Sequence, residues 1–331
     1  MIPTRPPNEW FQSARELRPH DVELADYADE PNVDVELFED ALGNPIPMPM
    51  EWFFESSMGV LGQTGQGKTQ TIKRIIYEFY LKKRANMTIF DPNNDYWVMR
   101  DAFPEWQVIG RDAPLDPKKA GHICKMCIKN KRPLVISLAQ SPRDIWVEFV
   151  LEYLKELWQC AVRYREVFGK PMAHLVVLEE AQTFCPRSLA AAQGKTKFMC
   201  ANLIELIRDN YASQGRKHGP TILLATQRVP SIDTTVISQI QILFMHKVKL
   251  DVDIKRNANI MRVVQSDFSN ILDRLRRGYC VVSGDFNDDG MVHYYKVRLV
   301  PIRDVSKNKT PDDVDELNEA IDRGDLGWLR L

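Results

Sequence analysis

The chain is 331 residues long, 44% hydrophobic and 27% charged, with a formal net charge of −1. That length carries one large core with a small appendage, and the composition is that of a soluble globular protein. No apolar run approaches the ~20 residues that cross a bilayer, and the opening MIPTRPPNEW lacks the apolar stretch of a signal peptide. A cytoplasmic protein with no membrane partner is expected. Six cysteines spread over the chain fit reduced thiols.

The near-neutral total hides an asymmetry. Residues 1–50 hold 11 acids and 3 bases and residues 301–331 hold 8 and 5, whereas residues 51–300 carry 36 bases against 26 acids. A basic centre suits a protein that handles a polyanion, and it also suits many ATPases around the nucleotide alone.

Residues 1–55 are rich in proline and acid and read as a loosely structured arm with one or two strands. From residue 56 to about 300, strands and helices alternate, which predicts an α/β domain with a central, mostly parallel sheet and helices on both faces. Its first motif is the run Gly62, Gln63, Thr64, Gly65, Gln66, Gly67, Lys68, Thr69, which fits G-x-x-x-x-G-K-[ST]. The apolar stretch Met58–Leu61 precedes it as a strand. Ile72, Ile75, Ile76, Phe79 and Tyr80 follow at the spacing of one helix face. A glycine-rich turn from strand into helix points unpaired N–H groups and the positive end of the helix dipole at a phosphate. Lys68 would then reach the β- and γ-phosphates of ATP, and Thr69 would hold Mg2+. A second QGKT, at residues 193–196, has leucine at 189 where the first glycine should stand and no apolar strand before it, so it is rejected.

Further strands are expected at 87–91, 134–138, 175–179, 221–226 and 242–249. Cys124 and Cys127, with His122 nearby, form half of a zinc pattern, but the second pair is missing and free thiols are favoured. A helix from Pro142 to Phe168 is expected, with Ser141 as its cap and Gly169 as its stop. Its face of Trp146, Phe149, Val150, Tyr153, Leu154, Leu157, Trp158 and Ala161 reads as core. The buried strand 175–179 delivers two adjacent acids, Glu179 and Glu180, so that one carboxylate can face Mg2+ and the other a water. Pro186 to Lys197, with Arg187, Lys195 and Lys197, reads either as a loop projecting toward DNA or as a solvated surface loop. Helices follow at 197–213 and at 266–277, the latter capped by Ser266. The strand at 221–226 ends in Gln227 and Arg228. Lys255, Arg256 and Arg262 follow the next strand. A hairpin at 279–283 and 292–300 turns at residues 287–290. Residues 301–331 read as a short helix from Thr310 to Gly324 with an apolar tail.

The motifs LEEAQTF, QGRKHG and ILLATQRVPSIDTTVISQ, in that order, resemble the HerA/FtsK superfamily of DNA-pumping P-loop ATPases, closest to the HerA branch. FDPNNDYW at 90–97 is similar to that branch's D-P-x-x-E/D-Y element. The resemblance covers residues 56–300 and implies a RecA-like domain, a homo-oligomer (a hexameric ring) and double-stranded DNA as partner. It implies that Lys68 and Thr69 bind phosphates and Mg2+, Glu179 assists the metal, Glu180 is the catalytic base and Gln227 is a sensor. Arg216 matches the arginine offered to a neighbouring subunit, although a phosphate-contacting or solvated arginine is the alternative; Arg228 is a second candidate. HerA proteins usually begin with a β-barrel for which residues 1–55 are too short. FtsK proteins add membrane helices and a winged helix that this sequence has no room for. The same motor serves genome packaging or conjugative transfer as well as repair, with a capsid or a nuclease partner separating them. A reading of another class is an ATP-dependent switch or scaffold that pumps nothing.

Overall fold

The computed structural model describes residues 34–248, 271–283 and 293–300, apart from 41, 55, 84, 191–193 and 273. Most of the N-terminal arm, Lys255, Arg256, Arg262, the Ser266 cap, the turn at 287–290, and the expected C-terminal helix and tail lie outside the described residues.

The strands are β1 (Asp34–Glu39), β2 (Pro45–Pro49), β3 (Met58–Leu61), β4 (Asn86–Asp91), β5 (Gln107–Ile109), β6 (Leu134–Ser137), β7 (His174–Leu178), β8 (Pro220–Thr226), β9 (Ile242–Met245), β10 (Tyr279–Ser283) and β11 (His293–Val297). They form one sheet in the order β2-β1-β11-β10-β9-β3-β8-β7-β4-β6-β5. From β9 to β5 every pairing is parallel, and from β2 to β9 every pairing is antiparallel. The parallel block is the RecA-like α/β core. Residues 34–54, read from sequence as part of the arm, supply β1, β2 and a helical turn at Met50–Phe54 to the same sheet.

Five helices matter for the site: α1 (Lys68–Lys83), α2 (Ala120–Asn130), α3 (Arg143–Phe168), α4 (Gly194–Leu206) and α5 (Ser213–His218). Strand side chains alternate between faces, so each buried strand feeds two cores. On one face Ile72, Ile75, Ile76 and Phe79 of α1 pack on Met58, Val60, Met87 and Ile89. On the other, Leu61, Phe90, Leu178 and Leu224 meet Ile123 of α2, Val150, Leu154 and Leu157 of α3, and Leu203 of α4. Each such fully buried side chain contributes about 1.5–3 kcal/mol, which is what fixes α1, and with it the preceding loop, against the sheet.

Two local expectations need correction. The long helix begins at Arg143 with Pro142 at the cap position and no side-chain cap. Ser141 Oγ instead accepts from the Leu115 amide at 2.9 Å, so its hydroxyl is committed to the neighbouring loop. The helix expected at 197–213 starts at Gly194, passes through a π-helical stretch at Ile207–Ala212 and continues as α5. Tyr211, carried by that stretch, donates its hydroxyl to the Leu154 carbonyl of α3 at 2.7 Å. The wider turn brings this buried donor to an acceptor. The extra strand β5, three residues long, is also part of the sheet.

Candidate nucleotide site at the carboxyl edge of the sheet

Registers align the strand ends. Leu61 faces Thr226 on one side and Met245 on the other, and Leu178 faces Leu224 and Phe90. The parallel strands β3, β8, β7 and β4 therefore end along one rim, where open α/β sheets hold their ligands. β8 stands between the glycine-loop strand β3 and the acidic strand β7.

The loop 62–67 leaves β3 anchored by its backbone. Gly62 N donates to Thr226 O at 3.3 Å, Gln63 N to Lys247 O at 3.2 Å, and Gly278 N to Gln66 O at 3.0 Å. Gly62 and Gly67 have φ of +146° and +117°, in which L side chains are strained. A Cβ on Gly62 would also stand 2.6 Å from His246 Cβ. Lys68 and Thr69 open α1, so the start of that helix faces the rim. Burial lowers the Lys68 ammonium pKa, while the carboxylates of Glu179 and Glu180 oppose that shift.

β7 delivers them as its sequence requires. Five buried residues, HLVVL, run in the ladder, and Glu179 N extends it to Phe90 O at 3.2 Å. The chain then turns at Glu180, whose φ of 51° and ψ of 48° are left-handed. A non-glycine residue held there costs on the order of 1 kcal/mol. The turn separates the two carboxylates. Glu179 points inward, is buried, and accepts from the Tyr96 hydroxyl. Its carboxyl pKa is pushed up to about 7, by burial first and further by Asp91 and Glu180, against the Tyr96 bond and Lys68. Asp91, at the end of β4, accepts from Tyr96 N at 2.8 Å and Asn93 N at 3.2 Å, which folds residues 92–95 so that Tyr96 reaches Glu179.

Glu180 points along the rim. Gln227 Nε2 donates to its Oε1 at 2.9 Å, Gln182 Nε2 donates to its Oε2, and Thr64 Oγ1 donates to Gln227 Oε1 at 2.8 Å. The glycine loop, the acidic strand and the β8 terminus are thus joined through one set of hydrogen bonds. The Thr69 hydroxyl and the Glu179 carboxylate are hard oxygen donors of the kind Mg2+ takes together with phosphates and water. A cation there would also relieve the burial cost on Glu179.

Arg216 lies elsewhere. It is exposed on α5, before the start of β8, while Gln227 follows the end of β8. Seven strand residues at ~3.3 Å each put roughly 20 Å between the two positions. Arg228, by contrast, is exposed at the rim beside Gln227. Arg187 is exposed and its backbone is tied to Ser231 O at 2.9 Å. Lys195 and Lys197 sit in the first turns of α4, Lys195 paired to Glu148 at 2.7 Å. None of these three belongs to the rim cluster. Gly194, Lys195 and Thr196 of the second QGKT lie in the first turn of α4. Cys124 and Cys127 are buried on the inner side of α2, their thiols shifted up by burial.

Sequence reasoning missed Gln182, Thr64 as a Gln227 partner, and Tyr96 as a Glu179 partner. The three lay inside quoted motifs, but nothing local names the partner of Tyr96, 83 residues away, that of Thr64, 163 away, or the Thr226 that anchors Gln182, 44 away.

Comparison with known proteins bears on the fold. Residues 40–162 match the family model described as helicase HerA, central domain. No curated protein matches the chain by sequence. Among solved structures, VirB4 of Thermoanaerobacter pseudethanolicus is similar with a TM-score of 0.56 at 10% identity, covering 83% of this chain and 98% of that one. The pCW3 conjugation coupling protein TcpA, with ATPγS, gives 0.50 at 12% identity over 82% and 68%. The genome packaging NTPase B204 of Sulfolobus turreted icosahedral virus 2 gives 0.46 at 13% identity over 73% and 97%. At these identities the likeness is one of fold, that of the P-loop NTPases. Among the described residues no helix is long and apolar enough to cross a membrane.

Proposed function

From a chain that carries a P-loop ATPase domain of HerA/FtsK type, we propose a motor that hydrolyses ATP to move double-stranded DNA through a ring of identical subunits, six in number as the family resemblance implies. Lys68 and the N–H groups of Gly65, Gly67, Lys68 and Thr69 hold the phosphates, and Thr69 and Glu179 would hold Mg2+. Bound there, the ion would neutralise phosphate charge. Glu180 orients the attacking water and takes its proton. Gln227 bonds the γ-phosphate or the water and registers its loss. Arg216 completes the site of the next subunit.

One observation carries this reading. The polar groups that hydrolysis needs converge at the carboxyl rim, joined by the Thr64–Gln227–Glu180 bonds, while Arg216 stands roughly 20 Å away at the other end of β8. At that distance it is out of reach of its own nucleotide site, which supports a role at another copy's site. The excess of bases in residues 51–300 supports a polyanionic track. A pump needs phosphate contacts and no base readout, so DNA binding should weaken steeply with salt and show little sequence preference.

The test mixes two inactive variants. Lys68→Ala and Arg216→Ala should each lose ATP hydrolysis, and an equimolar mixture should regain part of it, because each lends what the other lacks. Duplex DNA should raise the rate of the parent protein. A mixture that stays dead would remove the shared site, and indifference to DNA would favour a switch or scaffold.

A further inference from the structure

Glu180 accepts from two glutamine amides, one on each carboxylate oxygen, and only Gln227 has a reason to let go. Gln227 leans on Thr64 of the phosphate loop, so an arriving γ-phosphate competes for both. Gln182 is anchored differently. It lies in the short 3-10 turn at Ala181–Thr183 that begins at Glu180, and its Oε1 accepts from Thr226 Oγ1 at 2.7 Å. Thr226 is the last residue of β8, behind the phosphate loop, and its carbonyl accepts from Gly62 N at 3.3 Å.

The hydrogen directions follow from chemistry. Thr226 Oγ1 accepts from the Arg228 amide at 3.1 Å, and its own proton has the Gln182 oxygen at 2.7 Å or the Arg228 carbonyl at 3.3 Å. The shorter contact takes it. Gln182 therefore presents its carbonyl to Thr226 and its NH2 to Glu180, the only orientation in which both contacts are a donor meeting an acceptor.

We propose that Gln182 is the positioning residue of Glu180: it keeps hold of Oε2 through the cycle, so that release of Gln227 frees Oε1, already aimed, to take the proton of the attacking water. In that step the water oxygen bonds to the γ-phosphorus as the bond to the β,γ-bridging oxygen breaks, and the proton passes to Oε1. Without Gln182 the left-handed Glu180 would have no fixed carboxylate plane when Gln227 leaves. The inference rests on the reading of Glu180 as the base.

The experiment uses the full chain with ATP and Mg2+, measuring kcat and KM for parent, Gln182→Met, Thr226→Val and Glu180→Gln. Methionine keeps the length of Gln182 and removes its donor. A hydrogen bond to a charged acceptor is worth ~1.5–3 kcal/mol, or roughly 10- to 100-fold in rate. We expect Gln182→Met to lower kcat by about that factor with KM for ATP within about twofold, since no phosphate contact is lost. Thr226→Val, which releases the Gln182 amide without touching Glu180, should lower kcat by a smaller factor, about three- to tenfold, and tests the idea even where Gln182→Met folds poorly. A kcat within about twofold of the parent in either folded variant overturns the proposal. So does a parallel loss of kcat, ATP affinity and thermal stability, which marks a merely structural residue. Failure of the underlying reading looks different: Glu180→Gln would then keep its hydrolysis rate whatever the Gln182 variants do.

Discussion

His246 lies beneath the phosphate loop, fully buried, one residue beyond β9. Its Nδ1 is 3.0 Å from the Tyr279 carbonyl, which can only accept, so Nδ1 carries the proton. Nε2 then accepts from Thr71 Oγ1 at 2.8 Å. Burial, with help from the Lys68 charge, lowers the imidazole pKa to about 4, against its bonds to the Tyr279 and Gln66 backbones. The unfolded chain titrates near the usual 6.5, so between pH 6.5 and 4 it binds a proton that the folded state refuses, and stability falls as pH falls. From pH 7 to pH 5 this linkage amounts to about 2 kcal/mol at 1.36 kcal/mol per pKa unit. Asp91 and Glu179 act with the opposite sign. Raised to about 6 and about 7, they take up protons in the folded state first, which favours folding on acidification. The parent's own pH curve therefore mixes the two, and the comparison must be made against His246→Gln. In urea unfolding at pH 7 and pH 5, the parent should lose about 2 kcal/mol more than the variant. Equal losses in the two proteins would refute the neutral, buried assignment of His246.

Other expectations are more direct. Glu180→Gln should bind ATP with parental affinity in a fluorescent-nucleotide titration while its turnover falls at least about a hundredfold, within the range for general-base groups; undiminished hydrolysis would remove Glu180 from the role of base. Tyr96→Phe removes the hydroxyl that holds Glu179 Oε1. It should raise the Mg2+ concentration for half-maximal hydrolysis about tenfold while metal-free nucleotide binding is unchanged, and an unchanged Mg2+ titration would detach Tyr96 from the metal side of the site. Gly62→Ala must place its Cβ against His246 at a φ that alanine resists, so thermal melting should show a loss of at least about 1–3 kcal/mol; a variant as stable as the parent would deny the close approach.

How much of this was legible depended on whether the information was local. The Gly62–Thr69 loop could be read because a glycine turn between an apolar strand and an amphipathic helix is specified by adjacent residues. The four apolar contacts of α1 fell where the 3.6-residue period put them. The apolar run ending in Glu179 and Glu180 gave a buried strand and its acids for the same reason. Ser141 misled because a serine before a helix is a good cap in isolation, and only the fold reveals that the Leu115 amide takes it first. β5 was invisible because three residues carry too little pattern to distinguish a strand from a loop. Gln182 and Tyr96 sat in plain view inside motifs, but the Thr226 that anchors Gln182 and the Glu179 that Tyr96 meets are placed by the registers of β4, β7 and β8, which no short window contains.

Among the described residues the sheet ends on one side at β2, which reads Pro-Ile-Pro-Met-Pro. Ile46 and Met48 alternate with Pro45, Pro47 and Pro49, and β2 pairs with β1 across positions that include Ile46 and Met48. Neighbouring strand residues present their backbone groups to opposite sides, so the residues turned away from β1 are the three that have no N–H to give. A foreign strand arriving at that margin would find acceptors and no donors. β2 is therefore a poor template for a strand of another copy, and this margin of the sheet resists edge-to-edge pairing.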